Sequence, residues 1–74
     1  MNVDRNLYKD ELVRIGQALR SAREDAGVSI QDAAVRVGVD ASTISKIERG
    51  GLNLSVVYLI AVARVYGLEL RLER

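Results

Sequence analysis

The stretch from Ile30 to Arg49 constrains this chain most, because its residue pattern fits two short helices held across a tight glycine turn. The inward positions of such a pair fall on Ala33, Val37, Val39, Ile44 and Ile47, all apolar, and Ala34 puts a small side chain where the helices touch at a steep angle. Gly38 takes the turn: a positive φ costs little without a Cβ, so the first helix stops there and the chain reverses. Asp40 falls at the N-cap of the second helix, where its carboxylate is expected to accept from the exposed amides of the first turn. Each match alone is weak. Together, in register, they describe a unit whose obvious use is to present its second helix to a DNA groove.

The run Gly38-Val39-Asp40-Ala41-Ser42-Thr43-Ile44-Ser45-Lys46-Ile47-Glu48-Arg49-Gly50, preceded by Ile15-Gly16, Arg20, Arg23 and Gly27-Val28-Ser29, resembles the Cro and phage-repressor type of helix-turn-helix regulators, often called Xre-type. The resemblance runs from about Leu12 to Gly67, most of the chain. It implies an all-α, four-helix domain that binds double-stranded DNA. It also implies that Arg23 of the first helix reaches across to Glu48, locking the first helix to the third. Two positions depart from the family pattern. Ile30 stands where the family usually has a glutamine that braces a phosphate, and Asp40 brings a negative charge close to where DNA should lie.

With 74 residues the chain is one small domain, and a monomer of that size buries only about 60% of its unfolded surface. It has no Cys, no His and no Met beyond Met1, so disulfides and thiolate metal sites are excluded and a reducing compartment is the natural home. Without His or Cys the usual general bases, nucleophiles and transition-metal ligands are missing, so no catalytic residue, metal or cofactor is expected. The formal net charge is only +1, weak beside strongly basic nucleic-acid-binding domains, so the distribution of charge matters more than its total. No run approaches the roughly 20 apolar residues that span a bilayer, and Met1-Asn2-Val3-Asp4-Arg5 is no signal peptide. The expectation is a cytoplasmic protein without membrane contact.

Three segments follow: an N-terminal arm over 1–8, frayed or an extra helical turn; a helix-turn-helix domain over 9–67; and a dimerisation strand over 68–74. From Lys9 to Ala26 the apolar set Leu12, Ile15, Leu19 and Ala22 recurs at three and four, giving a first helix with that stripe inward and Arg14, Arg20, Glu24 and Asp25 solvated. Ser29 caps the second helix, with Asp32 near its positive end. The third runs from Ala41 to Arg49. After the loop Gly51-Leu52-Asn53-Leu54, Ser55 caps a fourth helix from Val56 to Tyr66, Asn53 being the alternative cap.

That fourth helix carries an inward stripe of Val56, Leu59, Ile60 and Ala63, yet Val57, Tyr58, Val62, Val65 and Tyr66 cover its other side, leaving Arg64 as its one charge. A helix apolar nearly all round must be buried on both faces, so a second molecule is expected against it. The tail points the same way. Leu68-Glu69-Leu70-Arg71-Leu72-Glu73 alternates strictly, the period of a half-buried strand, although its residue types also favour helix. A lone strand leaves its backbone groups unpaired; a second copy would pair them in an antiparallel ribbon about a twofold axis. Centring on Leu70 sets Glu69 opposite Arg71, a favourable cross-strand pair. The expected homodimer interface is therefore Val57, Val62, Val65, Tyr66, Leu68, Leu70 and Leu72. This helix-then-strand ending also resembles the antitoxins that pair with HipA-type kinases, which adds a cognate toxin protein as an alternative partner.

With Ile44 and Ile47 pointing in, the third helix exposes Ala41, Ser42, Ser45, Lys46 and Arg49, with Thr43 at the edge. Ala41, Ser42, Ser45 and Lys46 are the candidate base contacts: Lys46 reaches guanine acceptors, Ala41 packs on a thymine methyl, and the serines bond to either kind of base. Thr43, Arg49, Arg14 and Arg36 are the candidate phosphate contacts. The set lacks Arg, Asn and Gln at the leading positions, so intrinsic selectivity should be modest.

Overall fold

The computed structural model describes residues 4–51 and 55–74. They form four α-helices: α1 (Lys9–Asp25), α2 (Ile30–Val37), α3 (Ala41–Glu48) and α4 (Val56–Val65). A single 3-10 turn, Arg5–Tyr8, leads into α1, with the Asp4 carboxylate accepting from the Asn6 amide at 2.9 Å. The fold is all-helical, and no strand occurs among the described residues.

Local chemistry sets most of the boundaries. Ser29 is extended and its hydroxyl accepts from the Asp32 amide at 3.0 Å, starting α2; such a cap is worth about 1 kcal/mol. Gly38 ends α2 with φ of 86°, and its amide and that of Val39 both donate to the Ala34 carbonyl. Ser55 caps α4 through a longer bond, 3.4 Å, from the Tyr58 amide; the alternative cap Asn53 lies outside the described residues.

The core is Leu19, Val28, Ala33, Ala34, Ile44, Ile47, Val62 and Tyr66, with Ile44 and Val62 fully buried. Val37 and Val39 pack against its edge. The helix-turn-helix positions expected to face inward therefore do so.

On α1 Leu19 and Ala22 face the core as expected, but Ile15 does not. Ile15 is 42% exposed, and the residues that bury are Gly16, Leu19 and Arg23. The reason is a backbone-level approach. A Cβ on Gly16 would come within 2.7 Å of the Glu48 carbonyl carbon and 2.8 Å of the Ile47 carbonyl oxygen, so α1 turns its glycine toward α3. Ile15, one residue and about 100° around the helix, is carried outward.

The face of α4 is also rotated from expectation. Val56 and Ile60, placed inward by the sequence, are exposed, whereas Val62 and Tyr66, assigned to a dimer interface, lie inside the subunit at 0% and 3% exposure. Val65 is half-buried and packs against the same core. Leu59, Val62, Ala63 and Tyr66 follow the i, i+3, i+4, i+7 spacing of one helical face, so the stripe that meets α1 and α2 is this one. Val57, Leu68, Leu70 and Leu72 remain exposed. Residues 68–74 are neither helix nor strand within the single chain.

Candidate nucleic-acid interface

α3 is held rigidly along one side and left open along the other. Ile44 and Ile47 anchor it in the core, and its last turn lies against Gly16 of α1. On the open side Ser42, Lys46 and Arg49 are exposed, while Ala41, Thr43 and Ser45 are half-buried. Ala41 also packs against the core cluster, so only part of its methyl group is available to a ligand. Lys46 stands at the middle of the open face.

The end of α3 is fixed by a buried polar cluster. Arg23 Nε donates to Glu48 Oε2 at 2.9 Å and to Oε1 at 3.2 Å, and Arg23 Nη1 donates to the Val28 carbonyl at 2.9 Å. The Tyr66 hydroxyl donates to Glu48 Oε2 at 2.8 Å. One guanidinium thus ties α1 to the loop before α2 and to the end of α3, and one phenol adds the end of α4. Burial, together with the bond to Glu48, pushes the Tyr66 hydroxyl well above the ordinary phenol range. The bond to Glu48 raises Arg23 further, against the opposing effect of burial.

The sequence indicated the Arg23–Glu48 pairing through family resemblance but missed Tyr66. No spacing rule links a tyrosine to a carboxylate 18 residues away. The available signal was chemical, since a tyrosine on a largely apolar helix needs a partner for its hydroxyl once buried.

Asp40 corrects another expectation. It occupies the N-cap position of α3 with extended backbone, but its side chain makes no capping hydrogen bond. The first turn is closed instead by its main-chain carbonyl, which accepts from the Thr43 and Ile44 amides at 3.0 and 3.2 Å. The exposed carboxylate is left beside the first turn of α3.

The other arginines differ in availability. Arg36 is held by Asp32 at 3.0 Å, one turn back on α2. Arg14 lies 3.7 Å from Glu11, and at two residues before Gly16 it projects about 160° away from the side of α1 that meets α3. Arg14 is thus not brought together with α3.

A helix-turn-helix domain family model matches residues 14–74. The chain belongs to the helix-turn-helix domain family. Its likeness is to the Xre-type, Cro- and repressor-like regulators. Over 63 residues it is 42% identical to an uncharacterized HTH-type transcriptional regulator of Sinorhizobium fredii, covering 85% of this chain and 31% of that protein. The chain therefore spans under a third of the length of that relative.

Two solved structures share the fold. The restriction-modification controller protein C.AhdI of Aeromonas hydrophila superposes with a TM-score of 0.76 at 35% identity, covering 81% of this chain and 91% of that one. The clp gene regulator ClgR of Corynebacterium glutamicum gives 0.73 at 34% identity, covering 76% and 72%. Among the described residues, no helix of this helix-turn-helix domain is long and apolar enough to cross a membrane.

Proposed function

We propose that this helix-turn-helix domain is the DNA-reading unit of a sequence-specific transcriptional regulator, a homodimeric repressor that sets α3 into the major groove of an inverted-repeat operator. The observation that carries this is the two-sidedness of α3. A buried ion pair and a glycine-level contact hold its inner side, while Ser42, Lys46 and Arg49 stand exposed on the outer side. Names of the relatives, a transcriptional regulator, a gene regulator and a controller protein, support the same role.

In this role Lys46 reaches guanine acceptors, Ser42 and Ser45 bond to base edges, and the exposed part of Ala41 meets a thymine methyl. Thr43 and Arg49 grip phosphates and fix position without reading sequence. Arg36 contributes only by leaving Asp32. The free Asp40 carboxylate repels phosphate and lowers general affinity for DNA.

Two copies would meet through the apolar surface that the subunit leaves open. Val56, Val57, Ile60, Leu68, Leu70 and Leu72 are all exposed, and Ile60, Arg64, Leu68, Glu69 and Leu70 line a groove of about 600 Å³ between α4 and the tail. A ribbon of two tails centred on Leu70 satisfies the backbone of both. Two reading helices about 34 Å apart then reach successive major grooves.

Salt dependence tests the DNA-binding claim. Each phosphate neutralised contributes about −0.9 to the slope of log K against log salt, so binding to an inverted repeat should weaken steeply with salt. A flat response, or a purified protein that captures a second protein and no DNA, contradicts the proposal and favours a module or antitoxin whose main role is to hold a partner toxin protein.

A further inference from the structure

Beside the reading face, Arg20 of α1 and Arg49 at the end of α3 line one cleft of about 220 Å³, together with Ile30, Ser45 and Glu48. We propose that this cleft seats a DNA backbone phosphate, held jointly by Arg20 and Arg49, so that Arg20 is a positioning residue for the α3 reading helix. The inference rests on the DNA-binding role proposed above and adds a residue that the sequence had left on the solvated face.

Three features select an anion here. First, one arginine from α1 and one from the C-terminal end of α3 line the same concavity, and a planar fork of N–H donors suits phosphate oxygens. Second, the carboxylate in the lining offers these arginines little competition. Glu48 is buried and already accepts from Arg23 and Tyr66. Third, Arg20 is loosely held. Its ion pair with Glu24 measures 3.7 Å between groups that are both more than half exposed, and such pairs add little.

Position selects DNA as the source of the phosphate. Arg20 is four residues after Gly16, so it projects only about 40° from the line where α1 meets α3. Ser45 and Arg49 belong both to the cleft and to the outward side of α3, which makes the cleft continuous with the reading face. A groove that receives α3 brings its flanking backbone to this edge. Ile30, in the same lining, supplies no hydrogen bond from its side chain, so the polar work falls to the two arginines and the Ser45 hydroxyl.

The test uses the intact protein and a DNA duplex selected by it, with single phosphates replaced in turn by neutral methylphosphonates. Wild type should lose affinity at one phosphate per half-site that Arg20→Gln and Arg49→Gln no longer sense, the same phosphate for both. Arg20→Gln should also reduce the salt slope by about one per half-site, weakening specific and non-specific binding alike, with an unchanged melting temperature because the side chain is exposed. Wild-type affinity and slope in Arg20→Gln, or different sensitive phosphates for the two variants, overturn the shared site while leaving the DNA-binding role standing. A wild-type protein that binds no DNA removes both.

Discussion

Arg23 and Glu48, 25 residues apart, meet in a buried two-point contact in which Nε donates to both carboxylate oxygens, at 2.9 and 3.2 Å. Both side chains are at least nine-tenths buried. Removing one partner leaves the other charge buried and unpaired, which costs about 3–5 kcal/mol. A domain of 74 residues has a total stability on the order of 4–11 kcal/mol, so this loss is a large share of it. Arg23→Ala and Glu48→Ala should each unfold at far lower urea, or be unfolded without it, as followed by circular dichroism.

Tyr66 gives the fold an alkaline limit. Its hydroxyl is held above the ordinary phenol range, first by burial and then by the bond to Glu48. A group whose pKa is raised by folding contributes stability that is fully present below the unfolded value and is lost as pH climbs toward the folded one. Stability should therefore hold up to about pH 10 and fall above it. Tyr66→Phe should be less stable at neutral pH and show a shallower alkaline decline, read as melting temperature against pH. Equal slopes in the two proteins would show that Tyr66 is not responsible.

Gly16→Ala should be destabilising although alanine favours helix. Its Cβ would meet the α3 backbone, 2.8 Å from the Ile47 carbonyl oxygen, and backbone cannot swing aside as a flexible side chain does. Overpacking of this kind costs about 1–3 kcal/mol, measurable by denaturant unfolding. An unchanged midpoint would mean that α1 and α3 sit further apart.

Asp40→Asn separates a stability role from a binding role. Since the carboxylate makes no capping bond, the change should alter stability by no more than about 0.5 kcal/mol. Removing a negative charge beside the backbone should strengthen DNA binding. A large drop in melting temperature would instead reveal a working cap.

The helix-turn-helix core was legible because it depends on spacing alone: Ala33, Ile44 and Ile47 follow from register, and Gly38 from the need for positive φ. What the sequence misread depends on how helices meet. α4 is apolar on nearly every side, so periodicity gives no unique face, and Val62 and Tyr66, which the pattern places against a partner, fill the subunit's own core. Ile15 was misplaced because a glycine beside it lets two backbones touch. The phenol of Tyr66 and the cleft at Arg20 arise from segments distant in sequence that packing brings together. Alternation along Leu68 to Leu72 has the period of a strand, yet residues 68–74 form neither strand nor helix within one chain.

Lys46 stands at the centre of the exposed side of α3. Lys46→Ala should weaken binding to the preferred sequence while leaving folding and subunit association intact. Unchanged affinity in a gel-shift titration would remove it from the base contacts.

In the proposed function two copies present paired α3 helices to the double helix. The most direct measurement is selection of bound fragments from random duplex DNA by the purified protein, followed by sequencing. Paired reading by two copies should yield an approximate inverted repeat whose half-site centres lie about one helical turn apart, roughly 10 base pairs. Recovery of fragments with no shared sequence, or of single half-sites without a symmetric mate, would contradict it.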